Sequence, residues 1–232
     1  MTPRAWDSFD AYLFDIDGTL LHCRDALHYF AFCNALERVT GKPMTLEGVV
    51  AHGNTDLGIL RDAFRLADIE ESLWRPRLAE LTGAICEYVQ RRERELCVDA
   101  MPNVCRTLDY LREKGAALGV ATGNLRRIGE LKLKHAGLLS CFQFAGWSDG
   151  FESRADVFRA AVEQARVIAG AGASACVIGD TPADVAAARA NQLRVIAVAT
   201  GIYSVDELAA EGPDLCVACM DELPLASQAL PA

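Results

Sequence analysis

Lysine is nearly missing from this chain. Its 23 basic residues include only Lys42, Lys114, Lys132 and Lys134, and no lysine follows position 134. Against 32 acidic residues this leaves a formal net charge of −9 and a pI near 5.0. Such a balance lacks the basic footprint of a nucleic-acid binder and gives an anionic membrane nothing to attract. No apolar run approaches the ~18–20 residues that cross a bilayer. The first residues also lack the charged-then-apolar pattern of a secretory signal. A cytoplasmic location is the expectation, with a small molecule as partner and neither nucleic acid nor membrane; the sequence carries no signal of oligomeric state. Cys216 and Cys219 form one CxxC with no second pair, and four histidines are spread thinly, so no zinc site is expected. The nine cysteines are odd in number and mostly sit in apolar runs, where a thiol acts as a small hydrophobe. There is no Walker P-loop. Gly170, Gly172 and Ala175 fit a loose G-x-G-x-x-A, but they follow a helix and precede a strand, the reverse of a dinucleotide loop.

What the chain does have is a core. With 232 residues, 51% of them hydrophobic, folding should bury ~72% of the extended surface. Short apolar, strand-like runs recur at Ala11–Phe14, Ala117–Ala121, Phe142–Ala145, Ala175–Ile178, Arg194–Val198 and Leu215–Ala218. From Ala100 onward helical segments separate them. Val104, Leu108 and Leu111 share one helix face ahead of Gly115, and Asn124 is placed to cap a helix that stops before Gly137. Strands alternating with helices predict a parallel sheet covered on both faces. Between the first two strands, about Cys23 to Cys97, no strand is evident. Leu57, Leu60 and Phe64 keep helical spacing there, as do Leu78, Leu81, Ile85 and Val89. The fold class is therefore α/β, a Rossmann-like parallel-sheet core at 1–21 and 98–232 with an inserted α-helical unit at 22–97.

The chemistry concentrates at strand ends. Ala11–Phe14 runs into Asp15-Ile-Asp17-Gly18-Thr19, two carboxylates followed by a glycine that permits a sharp turn. Ligands of open α/β sheets bind outside the carboxyl ends of strands. Two anions ~6 Å apart at an effective dielectric near 20 repel by about 3 kcal/mol, and a hard divalent cation offsets that repulsion economically. Ala175–Ile178 likewise ends in Gly179-Asp180-Thr181-Pro182-Ala183-Asp184. Thr181 and Asp184 read as a capping-box pair with Pro182 at the first helical position, which leaves Asp180 unexplained by helix capping. A third strand ends in Thr122-Gly123-Asn124, a hydroxyl and backbone amides suited either to a phosphate oxygen or to an ordinary helix cap.

Taken together, Asp15-x-Asp17-Gly-Thr19, Thr122-Gly-Asn and Gly179-Asp180-x-x-x-Asp184 resemble the first, second and fourth motifs of the haloacid dehalogenase-like superfamily, in order and spacing across the whole chain. The inserted helices are similar to the cap of its phosphoglycolate phosphatase and β-phosphoglucomutase branch. The resemblance implies a Mg²⁺-dependent phosphatase acting on a small phosphorylated metabolite, phosphoglycolate-like or a sugar phosphate. It makes Asp15 the nucleophile that forms an aspartyl-phosphate. Asp17 would be the acid that protonates the leaving oxygen and the base that activates water. Mg²⁺ would be held by the Asp15 carboxylate, the Asp17 backbone carbonyl and Asp180, with Asp184 orienting ligands from behind. Thr122, Gly123 and Asn124 would bind the phosphoryl group.

One motif departs from the pattern. The family's usual lysine ahead of the fourth motif has no counterpart, and Arg154 stands at about that place. Arginine grips phosphate bidentately but is not lysine's geometric equivalent; the expectation is that Arg154 replaces the lysine as a phosphate-binding residue, against the alternative of a solvated residue opening the next helix. His52-Gly53-Asn54-Thr55-Asp56 resembles a pocket-lining segment of relatives, although helix capping by Asn54 or Thr55 accounts for it too. His22 and Arg24 fall near the expected hinge. Two alternatives remain open on sequence: a phosphomutase built on the same core, and a non-catalytic phosphate-binding relative. Dehalogenation has no use for Asp17, and phosphonate cleavage would have to rely on Lys42, the only lysine of the insertion.

Overall fold

The computed structural model describes residues 4–223 and 229–230. The elements in chain order are β1 (Arg4–Ala5), β2 (Ala11–Phe14), β3 (Leu21–Cys23), α1 (Leu27–Thr40), α2 (Asp56–Leu66), α3 (Glu71–Trp74), α4 (Leu78–Arg91), β4 (Val98–Ala100), α5 (Val104–Glu113) and β5 (Ala117–Ala121). They continue with α6 (Arg126–His135), β6 (Phe144–Gly146), α7 (Arg154–Ala169), β7 (Ala175–Gly179), α8 (Pro182–Ala190), β8 (Arg194–Val198), α9 (Val205–Ala210), β9 (Leu215–Val217) and β10 (Ala229–Leu230). Six strands form one parallel sheet in the order β6-β5-β2-β7-β8-β9. β2 lies at its centre, with the chain winding away to both sides. That is a topological switch point, where a crevice opens at the carboxyl ends of the strands. β1 and β10 pair as a separate two-stranded ribbon.

Each strand of the sheet's middle is buried on both sides. Tyr12 and Phe14 of β2 face a core built with Val104, Leu108 and Leu111 of α5 and Leu133 of α6. Ala11 and Leu13 face the opposite layer, filled by Val157, Phe158 and Ala161 of α7 and Val185 and Ala188 of α8. The predicted helix face on α5 is thus the buried one. The third apolar run differs in its bounds: β6 spans Phe144–Gly146, starting two residues later than the run at Phe142 suggests. Phe142 instead turns its ring toward Phe14, centroids 6.2 Å apart.

Between β3 and β4 the chain leaves the sheet as a helical insertion, and these two short strands pair antiparallel where it departs and returns. Its own core joins Phe32 and Leu36 of α1, Leu60 and Phe64 of α2, and Leu81 and Ile85 of α4. Leu125 and Ile128, from the start of α6, complete that same cluster, so the insertion packs directly on the sheet domain. Thr55 caps α2 by accepting from the Gly58 N–H at 2.9 Å. Phe64 is fully buried and stacks on Trp74 at 5.1 Å. Phe64→Ala should therefore cost about 3–5 kcal/mol of stability. Urea unfolding checks this, and a loss under ~1 kcal/mol would mean that the insertion collapses around the missing ring.

Candidate active site

Asp15 follows β2 and continues its ladder, its N–H donating to the Ile178 carbonyl at 3.0 Å. Gly18 then turns the chain with φ +86°, and a Cβ there would lie 2.2 Å from Asp180 Oδ2. Only glycine allows this approach of the first loop to the end of β7. Thr19 seals the contact, its hydroxyl donating to Asp180 Oδ1 at 2.7 Å. Thr181 and Asp184 form the capping box expected for α8, with the Thr181 N–H 3.0 Å and its hydroxyl 2.7 Å from Asp184 Oδ2. Carboxylate oxygens of Asp15, Asp180 and Asp184 all lie within 4.8 Å of one another, and all three residues are buried.

Arg154, the first residue of α7, is buried beside them and not solvated. Its Nη2 lies 2.8 Å from Asp15 Oδ1 and 2.6 Å from Asp184 Oδ1, and its Nε donates to the same Asp184 oxygen at 2.9 Å. Nη1 reaches the Gly53 carbonyl of the insertion at 3.3 Å. One guanidinium therefore pairs with two of the three carboxylates, Asp15 and Asp184. Burial, together with the neighbouring Asp184 and Asp17 charges, outweighs Arg154 and pushes the Asp15 pKa up to about 7. Burial and the charges of Asp15 and Asp184 raise Asp180 to about 8. A cluster of hard oxygen donors with this much unneutralised charge fits a divalent cation such as Mg²⁺. Both Asp184 oxygens are taken by Arg154 and Thr181.

Asp17 points elsewhere. Its carboxylate accepts from Lys132 Nζ at 2.9 and 2.7 Å and from Asn124 Nδ2 at 2.8 Å. Burial would raise its pKa, but Lys132 and these hydrogen bonds hold it below the ordinary carboxylate value. Lys132 is itself buried and also donates to Asn124 Oδ1 at 2.9 Å. Sequence reasoning missed this lysine. The available signal was a cation four residues after Ile128, on the apolar face of α6, where Ile128, Gly129 and Leu133 are also buried.

Asn124 consequently does not cap α6. Leu125 holds the N-cap position without a side-chain bond, and carboxylates from outside the helix take over. Asp56 Oδ2 accepts from the Leu125 N–H and Asp149 Oδ2 from the Arg126 N–H, both at 2.7 Å. Asn124 is left free to tie Thr122 to Asp17, donating to Thr122 Oγ1 at 2.8 Å. Beside it, a Cβ on Gly123 would lie 2.0 Å from the Asn54 carbonyl oxygen, so this glycine lets the insertion sit against the strand end. His28 of α1 completes the contact, 3.5 Å from Lys132 Nζ through Nδ1 and 3.2 Å from Asp56 Oδ2 through Nε2.

Asp15, Asp17, Thr122, Gly123, Asn124, Arg154 and Asp180 line one cavity of about 570 Å³ between sheet and insertion, with His22, His52 and Asn54 on its insertion side. Asp184 lies behind its wall. Arg24 is exposed and pairs with Asp99, away from the cavity.

A family model described as haloacid dehalogenase-like hydrolase matches residues 12–198. The chain belongs to this family. No curated protein compared with it matches. Among solved structures it is similar to CbbY from Rhodobacter sphaeroides in complex with phosphate (TM-score 0.71, 21% identity, covering 94% of this chain and 98% of that one). It is also similar to a predicted phosphatase from Clostridium acetobutylicum (0.65, 24%, 93% and 96%) and a predicted phosphoglycolate phosphatase from Haemophilus somnus (0.62, 19%, 95% and 98%). At these identities the likeness is one of fold: the family's sheet core with a helical cap. Among the described residues no helix is long and apolar enough to cross a membrane.

The raised carboxyl groups give the site a definite pH dependence. In the unfolded chain Asp15 and Asp180 lose their protons near the ordinary value of 3.8, whereas in the folded chain they keep them to about 7 and about 8. The folded state binds more protons over that window, so without metal it loses stability as the pH rises through it. A cation must displace those protons, so its affinity climbs with pH through about 7 and 8 and levels off above. Calorimetric Mg²⁺ titrations across this range check it; an affinity independent of pH would contradict it.

Proposed function

We propose that this protein is a Mg²⁺-dependent phosphatase that hydrolyses a small phosphorylated metabolite through a phosphorylated Asp15. The observation that carries the reading is the convergence of Asp15, Arg154 and Asp180 on the floor of the same cavity as Thr122 and Asp17. Asp15 Oδ attacks phosphorus, the ester P–O bond breaks, and the leaving oxygen takes a proton from the Asp17 side. Water then attacks the phosphorus of the aspartyl-phosphate while Asp17 takes its proton, releasing phosphate and restoring Asp15. Asp15, the Asp17 carbonyl and Asp180 would hold Mg²⁺, which would supply charge that lets a carboxylate approach a phosphate dianion.

The chain's own residues do the remaining work. Arg154, already paired with Asp15 Oδ1, takes the place of the family's lysine and grips the phosphoryl oxygens together with Thr122 and the Gly123–Asn124 backbone. Ionised Asp17 is the form that accepts water's proton. Lys132 is hydrogen-bonded to both Asp17 oxygens, so the proton needed in the first half lies on the adjacent atom and returns there in the second. The paired strands β3 and β4 act as the hinge between a core at 1–21 and 98–232 and a cap at 22–97.

Phosphate release from 4-nitrophenyl phosphate should require Mg²⁺ and fall by about 10³-fold or more in Asp15→Asn. Metal-independent turnover surviving that change would overturn the proposal, and a hexose 1-phosphate converted to its 6-isomer without free phosphate would indicate the mutase. Lys132→Met should lower kcat by about a hundredfold with a smaller change in KM. Unchanged kcat would remove Lys132 from the proton path.

A further inference from the structure

The phosphoryl end of the cavity is described above; the same cavity also has an apolar lining, made by Tyr29, Phe32, Leu46, Ile59, Met101 and Ile202. Tyr29 and Ile202 are 41% and 62% exposed at present, apolar surface that a bound molecule would cover. Among the described lining residues the lysine and arginine side chains are Lys132 and Arg154 alone, and both are committed to the groups around Asp15 and Asp17. Arg154 is taken by Asp15 and Asp184, and Lys132 by Asp17, Asn124 and His28. His22, His28 and His52 also line the cavity, and the carboxylates of its insertion side include Asp25 and Asp56. Asp25 accepts from the Leu27 and Cys97 N–H groups, and Asp56 from the Leu125 N–H.

We infer that the substrate is a phosphomonoester whose leaving group is uncharged and presents an apolar or aromatic face. This deepens the phosphatase reading and rests on it. A carboxylate or second phosphate on the leaving group would be desolvated beside Asp25 and Asp56 with neither lysine nor arginine free to meet it. A leaving group of the phosphoglycolate kind is therefore the poor fit, and Phe32 and Ile59 are the residues that an apolar one would touch.

The test compares phenyl phosphate with 4-carboxyphenyl phosphate, and phosphoglycolate with glycerol 2-phosphate, on the full chain with Mg²⁺. Because the carboxylate does not make the phenol a poorer leaving group, a rate loss reports recognition. The neutral member of each pair should have a kcat/KM higher by about tenfold or more. Tyr29→Lys, at an exposed rim position, should narrow the aryl ratio by about tenfold through better turnover of the carboxylated ester. Equal or better turnover of the carboxylated members overturns the inference and leaves the phosphatase reading standing. Release from none of the four esters overturns both.

Discussion

The site depends on holding like charges together where water cannot dilute them. Asp15, Asp180 and Asp184 converge from two strand ends onto one buried rim, and among the described residues only the Arg154 guanidinium opposes them directly. The rest of the stabilisation comes from hydrogen bonds to the ionised forms: the Thr19 hydroxyl on Asp180, and the Thr181 amide and hydroxyl on Asp184. Such bonds keep Asp184 fully satisfied, while Asp15 and Asp180 keep raised pKa values. The two acids whose ionisation is least supported are the ones that face the cavity. A divalent cation fits such a cluster.

The same side chains connect the rim to the insertion. Arg154 bridges Asp15 and the Gly53 carbonyl; Asp56 caps a helix of the sheet domain; His28 lies between Lys132 and Asp56. Moving the helical unit would disturb the surroundings of both Asp15 and Asp17. In this arrangement the position of the insertion and the geometry around Asp15 and Asp17 are one mechanical system, with Gly123 and the absence of its Cβ setting how near the two parts come.

Much of this was legible in the sequence because the relevant signals are local. β2, β5, β7 and β8 follow from short apolar runs, and the acidic clusters stand next to them in the chain. The Thr181–Asp184 capping box is read within four residues. Arg154 was legible as a candidate from its position, but its burial was not, since a cation opening a helix looks the same whether it faces water or two aspartates. Lys132 was hidden for a related reason. With Lys134 and His135 it completes a basic last turn, a pattern that favours the helix dipole in any exposed helix, and only the packing of α6 under the insertion turns it inward. Asn124 looked like a cap because asparagine commonly is one. Its displacement by Asp56 and Asp149 is a contact between segments far apart in sequence, which no local pattern encodes. The shift of β6 has the same origin, since Phe142 packs on a ring 128 residues away, as the Phe14–Phe142 contact places it.

The most direct test is anomalous diffraction from crystals soaked in Mn²⁺, a stand-in for Mg²⁺ with its own scattering signal. The account predicts a single strong peak in contact with the carboxylates of Asp15 and Asp180, on the cavity side of Arg154. A rim that stays empty at saturating metal, or a peak bound only by surface acids elsewhere, would contradict it.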